Sequence, residues 1–240
     1  MSSPKRLIVN ADDFGRTPGI NRGIVEAHDK GIVTSASAMV ACPAVAEAAQ
    51  LAAGSPRLGV GLHVTLSGGR ALLPPTQVPS LVDASGRLPP KPEGLVGADP
   101  QDVLAEARAQ LRRFREVFGR PPTHLDSHHH SQKVPAVLDA LVTLSWETGL
   151  PVRSVTAEMR ALFGRERIPT PDRFEGSFYD QGATREGLLR ILAGLSLGTT
   201  ELMCHPAVVD DELRSSSSYA EPRARELAVL SDPEARLAVQ

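Results

Sequence analysis

The chain has 240 residues, 41% of them hydrophobic, so a sizeable core can be buried and residues 1–240 are expected to form one domain. Lys and Arg total 26 against 28 Asp and Glu, a formal net charge of −2, and only 4% of residues are aromatic. That balance excludes any general electrostatic drive towards nucleic acid or an anionic membrane surface.

In chain order, Met1–Arg6 runs straight into the short apolar stretch Leu7-Ile8-Val9, with no secretory apolar region behind it and no uncharged run long enough to span a bilayer. Leu7–Val9 reads as a buried parallel strand. A helix follows, with Thr17 as N-cap, Pro18 at its first position, Ile20 and Ile24 on one face and Gly31 as stop. Ser37–Val40 reads as a second strand with a small Ala-rich helix behind it, and Leu58–Leu62 as a third strand. Leu72–Gly97 is rich in Pro and Gly without periodicity, which predicts a long surface excursion bordering the site. Between Asp99 as cap and Gly119 as terminator, Val103, Leu104, Ala107, Leu111, Phe114 and Phe118 form one buried stripe, predicting a helix from about Pro100 to Phe118.

Thr123–Leu125 then reads as a strand, followed by a helix with Val137, Leu138, Leu141 and Leu144 inside and Gly149 at its end. Val152–Val155 and Glu201–Cys204 read as further strands, with a helix between them on Leu188, Leu189, Leu192 and Leu195, and Ser215–Ser218 as a loop. Six or seven strand–helix units imply a parallel sheet covered by helices, a distorted or incomplete (β/α) barrel. Cys42 and Cys204 form no CxxC pair; they read as small buried thiols in a reducing, cytoplasmic protein.

The unusual polar residues stand at the ends of predicted strands: Asn10-Ala11-Asp12-Asp13, His63, His124 to His130, and His205-Pro206. In parallel α/β folds these ends converge on one face, where loops build sites. Adjacent carboxylates repel, and a cation between or beside them relieves that. Alternation along an extended strand allows His124, Asp126 and His128 to share a face. Imidazole with carboxylate suits Zn, Fe, Ni, Co or Mn, and Mg where carboxylates and waters dominate. Three protein ligands with an open position are what a catalytic ion needs, so a metal-dependent hydrolase is expected. Spacing leaves the roles of Asp12 and Asp13 interchangeable. His28, in a predicted helix, reads as ordinary surface.

Val9-Asn10-Ala11-Asp12-Asp13-Phe14-Gly15, Gly31–Ser35, Gly61-Leu62-His63, Thr123–His130 and Cys204-His205-Pro206 stand in an order that resembles the YdjC-like carbohydrate deacetylases, among them bacterial chito-oligosaccharide deacetylases. The likeness runs from Leu7 through Tyr219–Arg223 to Glu226-Leu227. It implies a barrel related to polysaccharide deacetylases, and hydrolysis of an N-acetyl group on a small amino-sugar substrate. By motif it implies Asp13, His63 and His128 as ligands of one divalent ion, magnesium or zinc foremost. Asp12 would be the general base and His205 the general acid. The alternatives are a deacetylase of a glycolipid such as a hopanoid-linked sugar, or a metal- or carbohydrate-binding module; a pure binder needs neither Asp12 nor His205. Where family members commonly read His-His-His-x-His, this chain has Gln132. The ion site survives that change, and the residues behind it or the substrate preference are where a difference is expected. A homodimer is the base-rate assembly.

Overall fold

The computed structural model describes residues 4–239; Met1–Ser3, part of the stretch searched for a leader, lie outside the described residues. The elements run β1 (Lys5–Phe14), α1 (Pro18–Asp29), β2 (Ser35–Ala38), α2 (Val45–Gly54), β3 (Gly59–Val64), α3 (Pro100–Phe118), β4 (Leu125–Ser127), α4 (Pro135–Thr148), α5 (Ala157–Arg165), β5 (Arg173–Glu175), α6 (Arg185–Ala193), β6 (Gly198–Cys204), α7 (Asp211–Ser216), α8 (Glu221–Leu230) and α9 (Pro233–Ala238). The strands form one parallel sheet in the order β4-β3-β2-β1-β6-β5. Parallel pairing requires a crossover between strands, and helices supply it, which leaves both sheet faces buried. The two edge strands do not pair with each other, so the expected incomplete barrel is what forms.

Several elements stand where their end signals place them. Thr17 Oγ1 accepts from Ile20 N, with Pro18 at the first helical position. Asp99 caps α3 through Gln101 N, and Gly119 ends it in the left-handed region at φ 64°. Gly149 ends α4 in the same way at φ 73°.

Other expectations are corrected. Val152–Val155 does not form a strand: Val152 makes one parallel bridge to Leu125 and its N–H turns away to Pro169 O. Pro151, Pro169 and Pro171 remove ladder donors around it. β2 and β4 sit about two residues from their expected positions, because the pairs Ser35↔Gly59 and Leu62↔Leu125 set their register. The expected Ser215–Ser218 loop is half helix: Asp210 caps α7, and the Ser215 and Ser216 hydroxyls donate back to Glu212 O. Leu195 lies beyond the end of α6. α5 and β5 were not anticipated.

The excursion from Leu72 to Gly97 is irregular apart from a 3₁₀ turn at Pro92–Leu95, yet it buries Val78, Leu81, Leu88 and Leu95. Its start is fixed by buried Glu106 of α3, which accepts from Leu72 N at 2.9 Å and Leu73 N at 3.0 Å. Against the other side of the barrel mouth, α1 approaches the chain after β6 so closely that a Cβ on Gly23 would lie 2.3 Å from Ala207 Cα. Backbone cannot yield as a side chain does, so Gly23→Ala should cost about 1–3 kcal/mol, read as a lowered Tm. Among the described residues no helix is long and apolar enough to cross a membrane.

Candidate active site

Ile8, Asn10 and Asp12 are alternate residues of β1, and alternation sends all three side chains to the barrel interior. Regular pleating would turn Asp13 the opposite way. Between Ala11 and Phe14, however, β1 spends one residue more than β2, and Asp13 takes φ 73°. This bulge re-aims Asp13, so two consecutive carboxylates reach one site. A non-glycine residue in that region carries strain of about 1–3 kcal/mol, which the surrounding packing has to hold.

Asp13 Oδ1, His63 Nε2 and His128 Nδ1 face one another: 3.1 Å from Asp13 to His128, 3.6 Å from Asp13 to His63, and 3.3 Å between the ring nitrogens. Ligands about 2.0–2.2 Å from one tetrahedral ion have this mutual spacing. Asp13 Oδ1 is buried and accepts no aligned hydrogen bond, and two imidazole nitrogens point at each other. A cation among the three relieves both defects, so these residues fit a divalent ion. The other nitrogen of His63 donates to Asp126 Oδ1 at 2.7 Å, the carboxylate–histidine arrangement that orients a metal-binding ring. A second acidic group, Asp12, His63 and Asp126, is less suited, because Arg153 already occupies both its carboxylates.

Burial pushes the His63 imidazolium down, but Asp126, Asp12 and Asp13 outweigh it and raise its pKa to about 9. An ion needs Nε2 without its proton. Below about pH 9 each ion bound must displace one, so apparent affinity should rise about tenfold per pH unit towards that value. Calorimetric titration near neutral pH in buffers of different ionisation heat should show about one proton released per ion; no release would contradict the assignment of His63.

Behind the site lies Arg153, whose side chain is 0% exposed. Its Nη1 and Nη2 donate to Asp12 Oδ2 and Oδ1, both at 2.7 Å, and Nη2 lies 3.0 Å from Asp126 Oδ2. Nε donates to Glu201 Oε1 at 2.7 Å. Asn10 Nδ2 adds a 2.9 Å hydrogen bond to Asp12. Burial opposes ionisation of Asp12, yet the Arg153 guanidinium overrides it and holds the carboxyl well below the usual range. Asp126 is lowered too, against its burial, by Arg153 and His63. Glu201 is raised by burial, which Arg153 only partly offsets.

The mouth above these groups is a cavity of about 740 Å³ whose walls include Asp12, Asp13, His63, His128, His205, Tyr179, Tyr219 and Arg223, with Pro90–Glu93 of the excursion as rim. His205 follows β6 and stands edge-on to Tyr179 and Tyr219, which stack 4.1 Å apart at 7°. Its backbone N–H donates to Glu226 of α8, and its Nδ1 lies 4.0 Å from Glu226 Oε1. Burial, then the charge of Arg223, pushes the His205 imidazolium down to about 3. Burial raises Glu226 to about 7 although Tyr219 Oη donates to it at 2.7 Å.

All five residues singled out from the sequence therefore meet at one cavity. His124 does not join them. It shares the interior face with Asp126 but sits one step deeper, its ring over Gly61, where a Cβ would be 2.4 Å away. Gln132 is fully buried and lines none of the cavity; the Ser127 hydroxyl donates to its Oε1, and its backbone N–H donates back to Ser127 Oγ at 3.0 Å. Its effect is thus on the turn that carries His128. Sequence reasoning missed Arg153, Glu201, Tyr179 and the roles of Arg223 and Glu226. The charged residues of the Tyr219–Leu227 stretch were the one signal available.

The model of the YdjC-like protein family matches residues 6–240. This chain belongs to the YdjC-like family. A carbohydrate deacetylase of Geobacillus stearothermophilus is 45% identical over 231 residues, covering 96% of this chain and 91% of that one. A chitooligosaccharide deacetylase of Yersinia enterocolitica is 38% identical, covering 98% and 94%. A crystal structure from Enterococcus faecalis V583 superposes with a TM-score of 0.93 at 36% identity, over 99% of this YdjC-like chain and 94% of that chain. A family 4 acetyl xylan esterase from Clostridium thermocellum, at 12% identity and TM-score 0.53 over 97% and 84%, shares the fold.

Proposed function

We propose that this YdjC-like chain is a metal-dependent carbohydrate deacetylase that removes an N-acetyl group from an amino sugar. The observation that carries the reading is the ion-ready group Asp13, His63 and His128 with a carboxylate, Asp12, beside it and an imidazole, His205, on the same cavity wall. Relatives at 38–45% identity are a carbohydrate deacetylase and a chitooligosaccharide deacetylase, which supports it. Two imidazoles and one carboxylate suit zinc better than magnesium, which prefers oxygen donors.

In the reaction a water oxygen bonds to the acyl carbon, the C–N bond breaks, and the nitrogen takes a proton, giving an amine and acetate. Asp13, His63 and His128 would hold a divalent ion, which would supply Lewis acidity towards water and the acyl group. Asp12 takes the proton from water. Arg153 keeps it ionised and fixed in direction, at the cost of low basicity. His205 gives a proton to the departing nitrogen, which is a poor leaving group without one. Because His205 alone is a weak base, the carboxylates of Asp12 and Asp13 are the charges that favour its imidazolium.

The same reading takes residues 1–240 as one domain, acting on a small carbohydrate in the cytoplasm, where two free thiols stay reduced. A homodimer is the commonest oligomer in general, and the reading adopts it on that ground. Acetate release should be measured over N-acetylated chito-oligosaccharides and over acetylated glycolipids, before and after chelation. Expected is release from a soluble oligosaccharide that stops on chelation and returns with a divalent ion. Release only from glycolipid overturns the substrate, and release from fully chelated protein overturns the mechanism.

A further inference from the structure

Arg223 stands on α8 with its side chain 4% exposed, and a guanidinium has five N–H donors to satisfy. Nε donates to Tyr219 O at 2.9 Å, and Nη2 donates to Asp13 Oδ2. These two ties fix the plane of the group. Nη1 is buried and has no partner, and the residue forms part of the cavity wall that Asp13, His205, Tyr179 and Tyr219 share. Buried donors are seldom left unmet, and a cationic one is the most costly to leave so.

The carboxylates beside it, Asp13 and Glu226, are already engaged. Asp13 is taken by Nη2 and by the ion site, while Glu226 accepts from Tyr219 Oη and from the His205 N–H. A ligand in the cavity that Arg223 helps to wall could supply the missing acceptor. Its place follows from Asp13, which turns Oδ1 to the two imidazoles and Oδ2 to Arg223. Arg223 thus borders the ion site on one side. On the other it is bound to the segment carrying His205, because its own carbonyl accepts from Ala207 N at 3.2 Å. An acyl group attacked near Asp12 and losing its nitrogen near His205 lies between these two edges.

We propose that Arg223 is a catalytic residue whose Nη1 donates to the acyl oxygen of the substrate, an assignment that rests on the deacetylase reading of this site. The acyl oxygen gains negative charge as water adds, so a fixed buried cation stabilises that oxygen more in the transition state than in the bound substrate. A sugar hydroxyl at the same place gains no charge, and Arg223 would then strengthen binding alone. The two cases differ in which kinetic constant moves.

The test uses the full chain loaded with zinc, with Arg223→Lys and Arg223→Ala compared with the wild type for melting temperature, ion content, kcat, KM and acetate affinity by calorimetry. Arg223→Lys retains a cation beside Asp13 and guards against a folding failure in the alanine variant. Expected is a fall in kcat of about 10²-fold with KM moved much less, as for loss of one oxyanion donor. Millimolar guanidinium should restore part of kcat to Arg223→Ala. Acetate should bind about tenfold more weakly to both variants. A rise in KM with kcat intact overturns the proposal, as does a loss of kcat that saturating zinc repairs, because Arg223 then serves only Asp13. If the wild type releases no acetate from any N-acetylated sugar, the deacetylase reading fails by itself. The acetate titration needs no turnover and still decides Arg223: unweakened binding in both variants overturns it.

Discussion

Asp12→Asn should lower kcat for acetate release about 10²–10⁴-fold while the protein keeps its divalent ion. The substitution is nearly isosteric, and the amide oxygen can still accept one Arg153 N–H, while the amide nitrogen faces the other donor at some cost in stability. What goes is the ability to take a proton. Asp13→Asn should differ in kind: it removes the charge from the ion site and weakens ion binding, so activity returns in part at high metal concentration. The contrast separates two neighbouring carboxylates whose roles the spacing alone leaves open. Ion content by elemental analysis beside kcat for each variant reads it out. Loss of the ion in Asp12→Asn, or full activity there, would reverse the roles.

Arg153→Met should be the most damaging single change to stability, at about 3–5 kcal/mol, because it strands buried charges that one guanidinium had paired. Asp12, Asp126 and Glu201 all lose their counter-ion, at side-chain exposures of 4%, 0% and 6%. The pH dependence follows from the direction of the shifts. Asp12 and Asp126 are held below the ordinary carboxylate value of 3.8 in the folded chain. Groups depressed in this way stabilise the fold above their unfolded pKa, and the contribution is lost as pH falls through the folded one. In Arg153→Met that contribution is absent, and the stranded carboxyls take protons more readily. The deficit against wild type should therefore be greatest near neutral pH and shrink below about pH 4. Urea unfolding midpoints across that range measure it, and a deficit independent of pH would point to lost packing instead.

How much of this was legible in the sequence varied with the physical signal available. α3 was readable to the residue because Asp99, Pro100, the apolar stripe and Gly119 all agree. The ion site was readable in outline, since carboxylates and imidazoles at strand ends converge in any parallel fold. The bulge at Asp13 was not: nothing in Asp-Asp says that one of the pair turns to φ 73°, and regular pleating would have separated them. Arg153 was hidden for a different reason. It sits in a proline-flanked segment that forms no ladder, and its partners are 141, 27 and 48 residues away in the chain (Asp12, Asp126 and Glu201). β5, three residues long, is too short for any periodicity to show. Gln132 was visible as a departure from the family pattern, but only packing reveals that it braces Ser127 rather than touching the cavity.

The central claim is that one divalent ion is held by Asp13, His63 and His128. Its most direct test is an anomalous-difference map from crystals of the protein grown with zinc. Expected is a single peak within about 2.0–2.2 Å of Asp13 Oδ1, His63 Nε2 and His128 Nδ1, with Asp12 uncoordinated and still paired to Arg153. A peak between Asp12, His63 and Asp126, or no peak in the cavity at all, would contradict it.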